Sequence, residues 1–264
     1  MLSLLLITAL LCPAGLAPQP QVEPQPKAEP APAYAGCLLR AYPDHLCGAT
    51  ADHLIWCDGT RMPWTTHAPG LTGDALLNAA DLRDQMATPY PTGAWQPPPT
   101  GDPGRARSEA FFRKMYGDDA RAVARTTRKV KWVAGKRLKV TTTNAVDQRL
   151  AAVAAELATL PKAQRKFIKQ TSGAFVWRTI KGTKRLSMHS FAVAVDVGVP
   201  LSDYWRWNKP DPNGHRAYRN RFPPEIAAVF ERHGFIWGGK WLHFDTMHFE
   251  YRPELLDPAC TENH

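Results

Sequence analysis

Two stretches decide the reading of this chain: Ser187-Met188-His189-Ser190-Phe191-Ala192-Val193-Ala194-Val195-Asp196 and Trp241-Leu242-His243-Phe244-Asp245-Thr246-Met247-His248-Phe249-Glu250. The first contains an apolar run of strand length, and both carry polar residues able to do chemistry. Ala192–Val197 reads as strand-like and Met247–Tyr251 as a final strand. Working outward, Lys129–Val133 and Leu138–Thr142 read as strands around a turn at Ala134-Gly135, and Ala174–Arg178 is strand-like. Ser108–Tyr116 reads as a short helix capped by Ser108. Val146, Leu150, Val153 and Leu157 fall on one face of a helix that Asn144 could cap and that Pro161 follows. Pro223–His233 has proline in its first turn and Gly234 at its end. Helical and strand periods mix without a regular βαβ alternation, which predicts an α+β fold with a small antiparallel sheet and flanking helices.

The remainder organises around this core. Residues 1–17, MLSLLLITALLCPAGLA, read as a signal peptide, because the apolar stretch Leu2–Leu11 is too short to span a bilayer. Gly15-Leu16-Ala17 is a usable cleavage site and Ala33-Tyr34-Ala35 a more distant one; Leu11 is too bulky to favour lipidation of Cys12. Contact with a membrane is expected only through this segment, if it is not cleaved. Residues 18–35 are a proline-rich linker. Residues 36–107 are a loop-rich extension containing cysteines, and residues 108–264 hold the regular patterning. Removing the signal leaves Cys37, Cys47, Cys57 and Cys260, an even number that suggests two disulfides in an exported protein, with three connectivities open. No C-x-x-C pair is present, so a cysteine zinc site is not expected. The formal net charge of +9 suits an anionic partner, but the chain has no nucleic-acid recognition motif and a nucleic-acid partner is not expected.

A catalytic zinc takes three nitrogen or oxygen ligands and leaves a position for water, with a carboxylate nearby that is not itself a ligand. His189, Asp196 and His248 are the candidate ligands and Asp245 the candidate base. A strand rises ~3.3 Å per residue, so His189 and Asp196 can share a metal only if the chain bends, for which Ser190-Phe191 is the expected place. A single histidine beside an apolar strand is more often a hydrogen-bonded core residue, so spacing alone does not establish a metal site. Glu250 shares a strand face with His248 and could orient that ring or replace Asp245 as base. His243 is the main ligand alternative, and the tryptophans at 205, 207, 237 and 241 read as packing.

These segments resemble the zinc D-alanyl-D-alanine carboxypeptidase family, which includes peptidoglycan L-alanyl-D-glutamate endopeptidases and shares its α+β fold with the Hedgehog signalling domain. The family pattern S-x-H-x-x-G-x-A-x-D is matched by Ser187, His189, Ala194 and Asp196, and its downstream carboxylate-x-x-H-F-E by Asp245, His248, Phe249 and Glu250. Phe175-Val176-Trp177-Arg178, Gly234–Gly239 and Tyr251–Leu255 also look familial, and the likeness runs roughly from Arg105 to Leu256. One departure is Ala192 where the family has glycine; a negative φ there would require only a small adjustment. The resemblance implies one zinc ion per chain and a peptidoglycan stem peptide as substrate. It implies that Arg178 reads a substrate carboxylate or stabilises an oxyanion, and that Ser187 contacts substrate. The exo or endo mode of cleavage stays open. A zinc-bearing wall-binding module that does not cut is the alternative. The expected location is extracytoplasmic and the expected state a monomer.

Overall fold

The computed structural model describes residues 29–93, 97–212, 214 and 216–261. The expected signal peptide and the first part of the proline-rich linker lie outside the described residues. The fold is α+β, with antiparallel pairing in all three sheets of the described residues. Three strands, β1 (Leu46–Ala49), β2 (His53–Trp56) and β3 (Arg61–Pro63), form a sheet in the N-terminal extension. A hairpin of β4 (Thr127–Lys131) and β5 (Arg137–Thr141) precedes the helix Val146–Leu157. The sheet that matters most contains β6 (Thr171–Ser172), β7 (Ala194–Val197), β8 (Phe235–Trp237) and β9 (His248–Tyr251), in the order β6-β7-β9-β8.

The register of this sheet sorts its side chains. Asp196 faces His248, Val195 faces Phe249 and Ala194 faces Glu250. Since successive side chains alternate between faces, Asp196, His248 and Glu250 share one face and Val195 and Phe249 the other. The apolar face packs on the helix Pro224–Arg232, where Phe230 stacks on Phe249 with ring centroids 3.8 Å apart. Gly234 ends that helix at φ +89, and a Cβ there would approach Tyr251 Cε2 to 2.7 Å, so both backbone and space require glycine.

Three local expectations need correction. Ala174–Arg178 is not a strand; the ladder is confined to Thr171–Ser172. Single bonds hold the segment instead: the Val176 amide donates to the His189 carbonyl, and the Arg178 amide to Ser190 Oγ. Asn144 does not cap the helix Val146–Leu157; Ala145 occupies that position without a side-chain cap. Asn144, at φ +56, turns its amide to the Tyr116 hydroxyl, 3.2 Å away. Ala192 does not take a negative φ. It lies at φ +58, ψ +30, closes the 3-10 turn Met188–Phe191, and delays β7 to Ala194.

The N-terminal extension joins the same core. Tyr34, inside the expected linker, packs edge-on to Trp64 at 5.4 Å, and helix Ala35–Ala41 begins one residue before Gly36. Disulfides link Cys37 to Cys260 and Cys47 to Cys57, which chooses one of the three connectivities. The first ties the start of the extension to the C-terminal turn of the chain. No helix among the described residues is long and apolar enough to cross a membrane.

Candidate metal centre and its cleft

The 3-10 turn Met188–Phe191 supplies the bend that the spacing demanded. It brings His189 Nε2 to 3.2 Å from Asp196 Oδ1, while His248 Nδ1 approaches the same oxygen at 3.0 Å from the neighbouring strand. Tetrahedral bonds of ~2.0–2.1 Å place ligand atoms roughly 3.3 Å apart, so these separations fit one ion. All three donor atoms lie within 4.8 Å of one another. Two imidazole nitrogens and a carboxylate oxygen form a donor set suited to zinc. A second such group, His67, Asp81 and Asp84, serves a different purpose: Asp81 and Asp84 form a capping box on helix Leu82–Met86, and His67 bonds Asp84.

Each candidate histidine is oriented from behind. His189 Nδ1 lies 3.3 Å from the Ala174 carbonyl. His248 Nε2 lies 3.0 Å from Glu250 Oε2. Glu250 is fully buried and also accepts from Arg107 Nη1 at 2.9 Å and Arg252 Nη1 at 3.0 Å. Arg252 is itself buried and donates through Nε to Glu254 Oε1 at 2.6 Å. Such a fixed chain holds the ring plane and selects which nitrogen faces the site.

The electrostatics call for positive charge between the carboxylates. Burial opposes ionisation of Asp196, yet its bonds to His189 and His248 hold it well below the usual carboxylate range. Burial would depress His248, but Asp196 and Glu250 on its two nitrogens push it up to about 10. Burial likewise opposes charge on Glu250, and Arg107 with His248 brings it down to about 2. An imidazolium satisfies this field; a bound cation would satisfy it too and displace the proton.

Asp245 is the contrasting carboxyl. Its Oδ1 is shut off from solvent and has no hydrogen-bond partner. Burial, opposed by His248 and reinforced by Asp196, pushes it up to about 7. A carboxyl poised there and facing the same cleft has the properties of a general base.

The cleft holds about 280 Å³ and is lined by His189, Asp196, Asp245 and His248 together with Ser187 and Arg178. All the candidate site residues except Glu250 therefore meet in one cavity, and Glu250 lies directly behind His248. Arg178 is exposed, and its Nη1 reaches the Thr179 carbonyl at 3.4 Å. Ser187 is buried and its amide donates to the Arg178 carbonyl at 3.0 Å. His243 lines the cleft but is held by Asp102, with Nδ1 2.6 Å from Oδ2, and stands outside the donor cluster. Trp237 and Trp241 are buried as expected of packing residues, Trp205 lines the cleft, and Trp207 is exposed.

Sequence reasoning missed Arg105, Arg107, Lys181 and Arg185, which also line the cleft. Arg185 had a signal. It follows Arg178 and Ile180 across the Gly182 turn in the alternation of a hairpin. Arg107 had none, since its partner Glu250 is distant in sequence.

Comparison with curated proteins and with solved structures gives no match. A family model described as D-alanyl-D-alanine carboxypeptidase matches residues 181–251, a span that takes in Arg185, Ser187, the three candidate ligands, Asp245 and Glu250 but begins after Arg178. The resemblance carried by the two motifs is thus shown over that segment, which is similar to the D-alanyl-D-alanine carboxypeptidase family of peptidases.

Proposed function

We propose that this protein is a zinc-dependent hydrolase of peptidoglycan stem peptides, with His189, Asp196 and His248 as ligands and a fold of the Hedgehog and DD-peptidase type. The observation that carries the reading is Asp245: a carboxyl with a buried, unpartnered oxygen beside a preformed three-donor cluster. A non-catalytic binding module would have no use for it. Two disulfides and the peptidoglycan-directed family support an extracytoplasmic location.

Zinc, when bound, supplies Lewis-acid activation of water and of the scissile carbonyl. The rest falls to the chain's own residues. Asp245 takes the proton from the attacking water and passes it to the departing amine. Arg178 donates to the carbonyl oxygen as negative charge builds there, or binds a substrate carboxylate. Ser187 sits where its hydroxyl can meet the peptide. Glu250 holds His248 in place without touching substrate.

The test uses the exported chain loaded with zinc and defined muropeptides, read by mass spectrometry, with Asp245→Ala alongside. Loss of terminal D-alanine marks a carboxypeptidase, and release after L-alanine an endopeptidase. Zinc bound without cleavage of either would replace this reading by the wall-binding module.

A further inference from the structure

Residues 178–187 form a short hairpin. The Ser187 amide donates to the Arg178 carbonyl, Thr179 bridges Leu186, and the Ile180 amide donates to the Arg185 carbonyl at 2.9 Å. Gly182, at φ +81, sits in the turn that Thr183 closes by donating to the Ile180 carbonyl. Alternation puts Arg178, Ile180, Arg185 and Ser187 on one face, and all four line the cleft. Leu186, on the other face, is buried. The second arm runs directly into the turn that presents His189, so Arg185 and a metal ligand are positioned by one continuous segment.

The basic residues of the cleft are not equivalent. Arg107 is paired with Glu250 at 2.9 Å, and Arg105 with Asp102 at 2.9 Å. Arg185 Nε is buried and has no hydrogen-bond partner. Asp74 and Glu109 attract it from a distance, but the Glu109 carboxylate is occupied by Arg113 and by the Leu186 amide. Burial, then repulsion from Arg107 and Arg105, pushes its pKa down to about 10. A half-buried guanidinium with an unused donor, crowded by like charge, is an anion site in want of its anion.

We infer that Arg185 is the anion anchor of the cleft, binding a carboxylate of the peptide substrate independently of Arg178. This rests on the cleft being a peptide site, as proposed above. A guanidinium meets a carboxylate through two parallel hydrogen bonds, which would use the idle Nε–H. Two sources offer that group: the C-terminal carboxylate of the stem peptide, and the α-carboxylate of a D-glutamyl residue within it.

The experiment compares wild type, Arg185→Gln and Arg185→Lys, all zinc-loaded, on four peptides. These carry a free or amidated C-terminus in combination with glutamate or isoglutamine. kcat/KM is measured, and binding is measured by calorimetry in an Asp245→Asn background that stops turnover. Arg185→Gln is expected to weaken binding and kcat/KM by at least about tenfold, as loss of a charge-assisted bond implies. The loss should vanish for peptides in which the recognised carboxylate is amidated, and the amide that abolishes it names the source. Arg185→Lys should keep part of the affinity, because charge survives without the fork. An equal loss on all four peptides, or none on any, overturns the anchor while cleavage by the wild type leaves the proposed function standing. A wild type that holds zinc yet neither binds nor cuts any of the four overturns both.

Discussion

Asp196 and His248 face each other across adjacent antiparallel strands, with Oδ1 3.0 Å from Nδ1. The other ring nitrogen of His248 is held by Glu250 at 3.0 Å. Substituting Asp196 or His248 with alanine should abolish stoichiometric zinc binding. Glu250→Gln should retain the metal but lower its affinity by about 10- to 100-fold, because the imidazole loses an anionic partner. Competition against a chromophoric chelator measures both. Unchanged affinity in Glu250→Gln would remove the orienting role and leave Glu250 as a partner for Arg107 and Arg252 alone.

Asp245 should make the metal-free protein less stable as pH rises. Its carboxyl titrates near 7 in the folded chain against 3.8 for the free group. Between those values the folded state binds more protons than the unfolded one, so stability falls with increasing pH across that window. Asp245→Asn cannot ionise. It should match wild type near pH 4, gain steadily to pH 7, and hold an advantage on the order of 4 kcal/mol above that. Thermal unfolding of chelator-treated protein at several pH values reads this directly, and a mutant no more stable than wild type at pH 8 contradicts it. The same substitution should eliminate peptide cleavage.

The two disulfides should contribute unequally. Cys37–Cys260 closes a separation of 223 residues and Cys47–Cys57 one of 10. Cross-links act largely by restricting the unfolded chain, more so for longer loops. Cys37→Ser with Cys260→Ser should therefore cost about 2–5 kcal/mol, and the pair at 47 and 57 less. Denaturant unfolding of the two double mutants under oxidising conditions orders them.

What the sequence revealed follows from how far each interaction reaches. Asp196, His248 and Glu250 were legible because all lie on strands, where a period of two fixes the face before any partner is known. The bend at Ser190-Phe191 was legible because a straight strand could not serve both His189 and Asp196. Arg185 is visible only once residues 178–187 are known to pair as a hairpin, whereas the strand-like pattern in the sequence covers Ala174–Arg178 and stops short of it. Arg107 and Asp102 come from the extension and reach the site through tertiary contacts alone. Local pattern carries no trace of such contacts. Asn144 misled because its side chain satisfies Tyr116 rather than the helix end.

Ala192 gives the last prediction. Its left-handed backbone, φ +58, lets the chain leave the His189 turn and enter β7; its carbonyl accepts from the Thr141 amide at 3.0 Å, and its own amide donates to the His189 carbonyl at 3.1 Å. An L-residue there costs roughly 1–2 kcal/mol. Glycine would relieve that cost, but it would lose a buried methyl worth ~0.8 kcal/mol and add unfolded-state entropy worth ~0.5–1 kcal/mol. Ala192→Gly should thus change stability by less than about 1 kcal/mol and leave zinc affinity intact. Ala192→Val retains the need for positive φ and adds a branched Cβ in a fully buried position. The turn should open to relieve it, moving His189 away from Asp196, so zinc affinity should fall together with stability. Denaturant unfolding and zinc titration of the two mutants decide the matter. A valine variant that binds zinc as tightly as the glycine variant would show that the turn tolerates another backbone conformation.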